Sequence, residues 1–304
     1  MSNDSCLINY IPRFGKVPLQ NLQSLVVLRY TDVDGRLLNA MLGKCHKNIV
    51  RLNLFGSKIH DSTLVLMGRL CPRLRCCGLA STGIKDNVLI EFSQYCPNIA
   101  HLDLSYNGNV TDIGILGTVL NLKWLQSLEI SRMNLITDAS LQYIHTHCSN
   151  TLHTLHMYAG DGSLLRSDTV ENNLFERCVQ LRVLHTNLPY IFSQQAICNL
   201  TTLVLNGDCV SSHSLKNVGK HCSRLEVLFM QGYTHQGLLA VCLGCTQLKR
   251  LYLDLEFTIE SSVEEAQDRT ELVVFSLELW KKVRPGLIID DINSFVYTSV
   301  MNMV

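Results

Sequence analysis

The chain has 304 residues, 26 of them basic and 26 acidic, and 47% are hydrophobic. Formal neutrality leaves no broad positive field to gather phosphates, so neither a nucleic-acid partner nor a membrane partner is expected. Apolar runs such as Leu25–Leu28 and Leu287–Ile289 fall far short of the roughly 20 residues needed to span a bilayer.

The 13 cysteines are an odd number, and no apolar leader occupies the opening MSNDSCLINYIPRFGK. Both features argue against a secreted disulfide scaffold, so reduced thiols and a cytoplasmic or nuclear location are expected. Residues 1–21 show no helical pattern and form an N-terminal segment.

From residue 22 a repeat takes over. The pattern apolar-x-x-apolar-x-apolar starts at Leu25, Ile49, Leu74, Ile99, Leu125, Leu152, Leu181, Leu200, Leu225 and Leu248. The successive spacings are 24, 25, 25, 26, 27, 29, 19, 25 and 23 residues. A fixed period of this size marks a solenoid in which each unit buries its apolar faces against its neighbours. The 19-residue step from Leu181 to Leu200 predicts a truncated unit, with a loop around Pro189 in place of a helix.

A cysteine lies shortly before most of these starts: Cys45, Cys71, Cys96, Cys148, Cys178, Cys222 and Cys245. Ten or eleven residues before each stand Asp34, Asp61, Asp86, Asp138, Asp168, Ser212 and His235, while Asp112 precedes Leu122 by ten. Asp or Ser there reads as an N-cap, since its side-chain oxygen accepts an orphaned amide proton of the first helical turn. Helical spacing follows, as in Leu64, Met67, Cys71, then Leu89, Phe92, Cys96, then Leu141, Ile144, Cys148. Each unit therefore reads as strand, turn, capped helix and return.

The stretch CPRLRCCGLASTGIKDNVLIEFSQYCPNIAHLDLSYNGNVTDIGI, with its recurring cysteine and the Ile136-Thr137-Asp138 element, resembles the cysteine-containing leucine-rich repeats of F-box substrate receptors. The resemblance covers residues 22–254. It implies an α/β leucine-rich repeat solenoid, a horseshoe of about ten strand-turn-helix repeats with a parallel sheet on its concave face. Its function would be protein binding, as substrate recognition in an SCF-type ubiquitin ligase pathway, with Skp and cullin components as partners if a longer form carries an F-box. The alternative is a stand-alone scaffold or inhibitor that binds a protein without recruiting a ligase. Residues 1–21 are too few for an F-box bundle. Where the family often has Cys or Asn just after the strand, this chain has Ser57, Thr82, Asn107, Met133, Gly160, Asp208, Tyr233 and Glu256, so an unbroken ladder of buried turn hydrogen bonds is not expected.

Strand side chains alternate between faces. The inward ladder is read as Leu28, Leu52, Cys77, Leu102, Leu128, Leu155, Leu184, Leu203, Leu228 and Leu251, and the central open row as Arg29, Asn53, Gly78, Asp103, Glu129, His156, His185, Val204, Phe229 and Tyr252. A second open row includes Phe55, Ser105, Ser131, Tyr158, Asn206 and Gln231. From these rows the expected partner-binding residues are Phe55, Asp103, Glu129, His156, Tyr158, His185, Phe229 and Tyr252. They combine aromatic anchors with adaptable polar groups, the mixture that protein interfaces favour.

Catalysis is not expected. His101, Asp103 and Ser105 supply triad residue types, but same-face neighbours on a strand are about 6.6 Å apart and no nucleophile elbow is present. Cys242 and Cys245 have C-x-x-C spacing, yet they read as two core positions of one helix, and His156 with His185 read as polar surface in preference to a metal or pH-sensing pair. No cofactor is implied. Beyond residue 254 the period is lost. Residues 255–304 read as a cap and tail, with a helix over Leu272–Val283 and a last strand at Leu287–Ile289.

Overall fold

The leucine pattern becomes a strand wherever its side chains alternate between a packed and an open side, because neighbouring parallel strands can then share one layer of apolar contacts. A computed structural model describes residues 21–29, 31–32, 43, 46–160, 178–187, 198–206, 212–231, 235–253 and 288–291. Backbone packing divides the chain into two compact units, Met1–Arg166 and Ser167–Val304.

In the first unit the strands are β1 (Ser24–Val26), β2 (Thr31–Asp32), β3 (Arg51–Asn53), β4 (Lys58–Ile59), β5 (Cys76–Gly78), β6 (His101–Asp103), β7 (Ser127–Glu129) and β8 (Thr154–Met157). β1, β3, β5, β6, β7 and β8 run parallel in that order, and β2 pairs with β4. The register aligns Leu25, Leu52, Cys77, Leu102, Leu128 and Leu155, and all six are buried. Leu25, not Leu28, thus occupies the first rung, and Leu28 is 56% exposed. The run Leu22 to Leu28 fits the pattern in two registers three residues apart, which is why its leucines mislead.

The second unit contains β9 (Val183–Thr186), β10 (Thr202–Leu205), β11 (Val227–Met230), β12 (Arg250–Leu253) and β13 (Ile288–Asp291), again parallel. Its rungs are Leu184, Leu203, Leu228, Leu251 and Ile289. Leu184 pairs directly with Leu203, so the short step keeps the register. The expected last strand is present as β13. The loop expected around Pro189, the helix expected over Leu272–Val283 and Cys45 lie outside the described residues.

Past β1, β3, β5, β6 and β7 one residue adopts a left-handed backbone: Arg29, Gly56, Ser81, Tyr106 and Arg132, with φ of 51°, 67°, 56°, 61° and 55°. Each donates its N–H to the next repeat, Arg29 to Phe55, Gly56 to Ala80, Ser81 to Ser105, Tyr106 to Ser131 and Arg132 to Tyr158. Pairing therefore continues beyond the strands, and only one of these strained positions is a glycine. Arg29 consequently leaves the row of Asn53 and joins this turn series.

The residues after Gly56, Ser81, Tyr106 and Arg132 face inward. Ser57 Oγ donates to Val27 O at 3.1 Å, Thr82 Oγ1 to Leu79 O at 2.8 Å, and Asn107 Nδ2 to Leu79 O and Leu104 O at 2.8 and 2.9 Å. Asn107 Oδ1 accepts the N–H groups of Thr82 and Gly83 at 3.1 and 2.8 Å. The next repeat places buried Met133 there, so the polar ladder is interrupted, as the substitutions predict.

The helices are α1 (Asp61–Leu70), α2 (Asp86–Tyr95), α3 (Asp112–Asn121) and α4 (Asp138–Cys148), with α5 (Ser212–His221) and α6 (His235–Gly244) in the second unit. The aspartates expected as N-caps are the first helical residues instead, and the caps are His60, Lys85, Thr111 and Thr137. Both Thr and Asp suit that end of a helix, the first by capping and the second by meeting the dipole, so their order is set by packing. The carboxylates reach across repeats: Thr111 donates its N–H and hydroxyl to Asp86 at 2.8 and 2.6 Å, and Thr137 does the same to Asp112 at 2.8 and 2.7 Å. Ser140 Oγ also donates to Asp112 Oδ1.

The helical positions Leu64, Met67, Leu89, Phe92, Leu141 and Ile144 are buried, as are the cysteines Cys71, Cys96, Cys148, Cys178, Cys222 and Cys245. Cys96 Sγ donates weakly to Gly68 O at 3.4 Å. Burial pushes the Cys96 thiol up to about 12 and Cys178 up to about 11, which keeps both protonated and unreactive. Cys242 and Cys245 are both buried in the packing of α6.

In the second unit α5 and α6 touch backbone to backbone. A Cβ on Gly244 would fall on the Gly219 carbonyl oxygen, and one on Gly219 would fall on that of Ala240. Gly244→Ala is expected to cost about 3 kcal/mol, because rigid backbone must part to admit the methyl group. Amide exchange in α5 and α6 measures it, and unchanged protection there would contradict this contact.

Candidate functional site

The sequence-expected residues fall in both units. In the first, register places Asn53, Gly78, Asp103, Glu129 and His156 side by side on the face opposite the leucine rungs. In the second it aligns His185, Val204, Phe229 and Tyr252.

Three of these are not open. His156, Val204 and Tyr252 have only 6%, 8% and 4% of their surface exposed. Alternation predicts which side of the strand they leave from, but neighbouring side chains decide whether they remain uncovered. His156 Nδ1 packs 3.6 Å from Glu129 Oε2. Tyr252 lies in a face-to-face stack with Phe229, their ring centroids 4.1 Å apart and their planes 10° apart. Such a stack is a rigid aromatic element with Phe229 as its more open member. His185 Nε2 lies 2.9 Å from Asn206 Nδ2, which settles the imidazole in a local polar pair.

Asp103 is the most perturbed carboxyl among the described residues of the first unit. Burial, and then the Glu129 charge on the paired strand, push it up to about 6, against the pull of the Ser105 hydrogen bond and His156. Its Oδ1 accepts the Ser105 N–H at 2.9 Å, the turn contact that Asn53 makes with Phe55 N–H at 3.0 Å two repeats earlier. Because the folded carboxyl holds its proton more tightly than the unfolded one, whose ordinary value is about 3.9, its contribution to stability is complete below that pH and disappears as pH rises through about 6. Asp103→Asn keeps the acceptor and removes the charge. The variant is therefore expected to gain stability over the parent at pH 7, on the order of 2 kcal/mol, and little at pH 4. Urea unfolding at the two pH values measures this, and equal differences at both would contradict it.

Two residues on, a second row runs Ser105, Ser131 and Tyr158. Ser131 N–H donates to Ser105 Oγ at 3.3 Å and Tyr158 N–H to Ser131 Oγ at 3.1 Å. Beyond it the turn residues Tyr106 and Arg132 stand out. The Arg132 guanidinium lies 5.8 Å from the Tyr106 ring centre and 5.2 Å from that of Tyr158, within cation–π range of both. Tyr106 is 54% exposed, and Phe55 is also exposed. Tyr106 and Arg132 were missed by sequence reasoning, because the left-handed turn that projects them has no residue signature in Tyr or Arg.

His101, on the same face, is held below the usual histidine range by burial and by Arg51, and its Nδ1 is a buried atom without a hydrogen-bond partner. Among the described residues, no three His, Cys, Asp or Glu side chains converge as metal ligands, and no helix is long and apolar enough to cross a membrane.

No family profile and no curated protein sequence matches the chain. Among solved structures it is similar to a chain of the yeast Rad7–Elc1 complex, at 13% identity over 83% of this chain and 72% of that one, with a TM-score of 0.53. An internalin, InlF of Listeria monocytogenes, is 17% identical over 86% of this chain and 91% of its own, with a TM-score of 0.46. The fold is an α/β leucine-rich repeat solenoid.

Proposed function

We propose that this leucine-rich repeat chain is a protein-binding module that holds its partner on the strand face. The observation that carries the reading is the surface of the first unit, where exposed Tyr106, Arg132 and Phe55 surround the polar rows of Asp103, Glu129 and Ser131. Tyr and Arg dominate binding hot spots because they bring large contact areas with little flexibility to lose. Repeat solenoids offer such faces as continuous platforms. Catalysis would need a positioned nucleophile and base, and the chemistry on this face is that of recognition.

The finer form is substrate recognition in an SCF-type ubiquitin pathway, in the cytoplasm or nucleus. It is supported by the cysteine-containing repeats that resemble those of F-box receptors, and by similarity of fold to a chain crystallised in the Rad7–Elc1 complex. A stand-alone scaffold or inhibitor would use the same face. Co-purification separates the two: a receptor brings a Skp adaptor and cullin with it, and a native preparation of the full protein lacking both would discard the ligase form.

Proximity labelling tests the module itself. A Tyr106→Ala, Tyr158→Ala, Phe229→Ala variant is expected to lose partners that the parent labels, whereas identical partner lists would remove the strand faces from consideration.

A further inference from the structure

We propose that the β6–β8 face of the first unit docks a lysine or arginine side chain of an extended partner segment, its cationic head between Asp103 and Glu129 and its stem over Ser105 and Ser131. This rests on the protein-binding reading and gives that partner its chemistry.

Asp103 and Glu129 are directly paired across parallel strands, which sets their backbones about 4.8 Å apart. Like charges at opposed positions repel, and the sheet retains them here. On one side Gly78 offers no side chain. On the other, His156 is the sole ion-pair partner of Glu129 among the described residues, 3.6 Å away and itself buried.

The placement of Arg132 is an independent observation. Only three residues past Glu129, it could have swung toward the acids, yet its guanidinium lies over Tyr106 and Tyr158. It joins none of the ion pairs among the described residues. The two acids therefore stand at one end, and Tyr106, Arg132 and Tyr158 at the other, of a stretch of the strand face that carries only the small side chains of Ser131 and Ser105, the latter 5% exposed. Its length, two strand residues or about 7 Å, suits the aliphatic stem of Lys or Arg. A cation at its end would relieve the repulsion between the carboxylates, and aromatic rings at the other end would hold the peptide beside it. The same charges repel phosphates, which makes the occupant a protein segment and not a nucleic acid.

The test uses the full chain and positional-scanning hexapeptide libraries with lysine, arginine, norleucine or glutamate fixed at one central position, read by fluorescence polarisation. Lysine or arginine libraries are expected to bind about tenfold or more tightly than norleucine, and glutamate least. In the Asp103→Asn, Glu129→Gln double variant the preference is expected to collapse to within about threefold, with circular dichroism showing the fold intact. Equal binding of lysine and norleucine, a preference retained by the double variant, or no binding of any library would overturn the proposal. If all libraries bind alike and Tyr106→Ala with Tyr158→Ala abolishes binding, the cationic occupant fails while the protein-binding reading stands.

Discussion

Asn107→Ala is expected to lower the unfolding free energy by about 5 kcal/mol, the largest effect of any single polar change among the described residues of the first unit. Its amide is fully buried and uses every hydrogen-bonding capacity it has, accepting from Thr82 and Gly83 and donating to Leu79 and Leu104. Alanine would leave the Thr82 N–H and the Leu104 carbonyl buried without this partner, each costing about 1 to 3 kcal/mol, and would take the bond from the part-buried Gly83 N–H as well. The equivalent Met133 position carries no such load, so Met133→Leu should cost less than about 1.5 kcal/mol. Amide exchange in the turns after β5 and β6 is the suitable measurement, because a chain of two units need not unfold in one step. Equal losses for the two substitutions would contradict this assignment.

Leu128→Ala is expected to cost about 4 kcal/mol and Leu28→Ala less than about 0.5. Leu128 is 1% exposed on β7, between the rungs Leu102 and Leu155. In a solenoid the cavity cannot be filled from outside the stack, since every rung contacts only its neighbours. Leu28, outside the ladder, has little to lose. Chemical denaturation of both variants distinguishes the observed register, with Leu25 on the first rung, from the alternative three residues away. A large loss for Leu28→Ala would restore that alternative.

The repeat was legible because it rests on a simple physical demand: every unit must put apolar side chains at the same strand and helix positions to stack. Leu102, Leu128, Leu155 and the buried cysteines satisfy it individually, so period alone locates them. The first rung was not legible, because Leu22, Leu25 and Leu28 satisfy the pattern twice. Helix starts were legible to within one residue, since Thr137 and Asp138 both favour that end and only the Asp112 carboxylate on the neighbouring repeat decides which one caps.

The candidate site was legible in part. Asp103 and Glu129 follow from register, and in the second unit so does the alignment of Phe229 with Tyr252. Exposure does not follow, since it depends on what lies across a side chain. His156 packs against Glu129 and Tyr252 against Phe229, each one repeat away on the adjacent strand, and the strand pattern of a single repeat does not show that contact. Tyr106 and Arg132 were invisible for another reason: their prominence comes from a left-handed backbone enforced by the inter-repeat hydrogen bonds to Ser131 and Tyr158. No side-chain propensity announces it.

Photo-crosslinking in cells tests most directly whether the strand face is where a partner binds. p-Benzoylphenylalanine would replace Tyr106 on that face and, in a separate variant, Ile113 on α3, which is 68% exposed on the helical side. Binding on the strand face predicts discrete protein adducts from position 106 that are absent from position 113. Adducts from position 113 alone, or the same adducts from both, would contradict it.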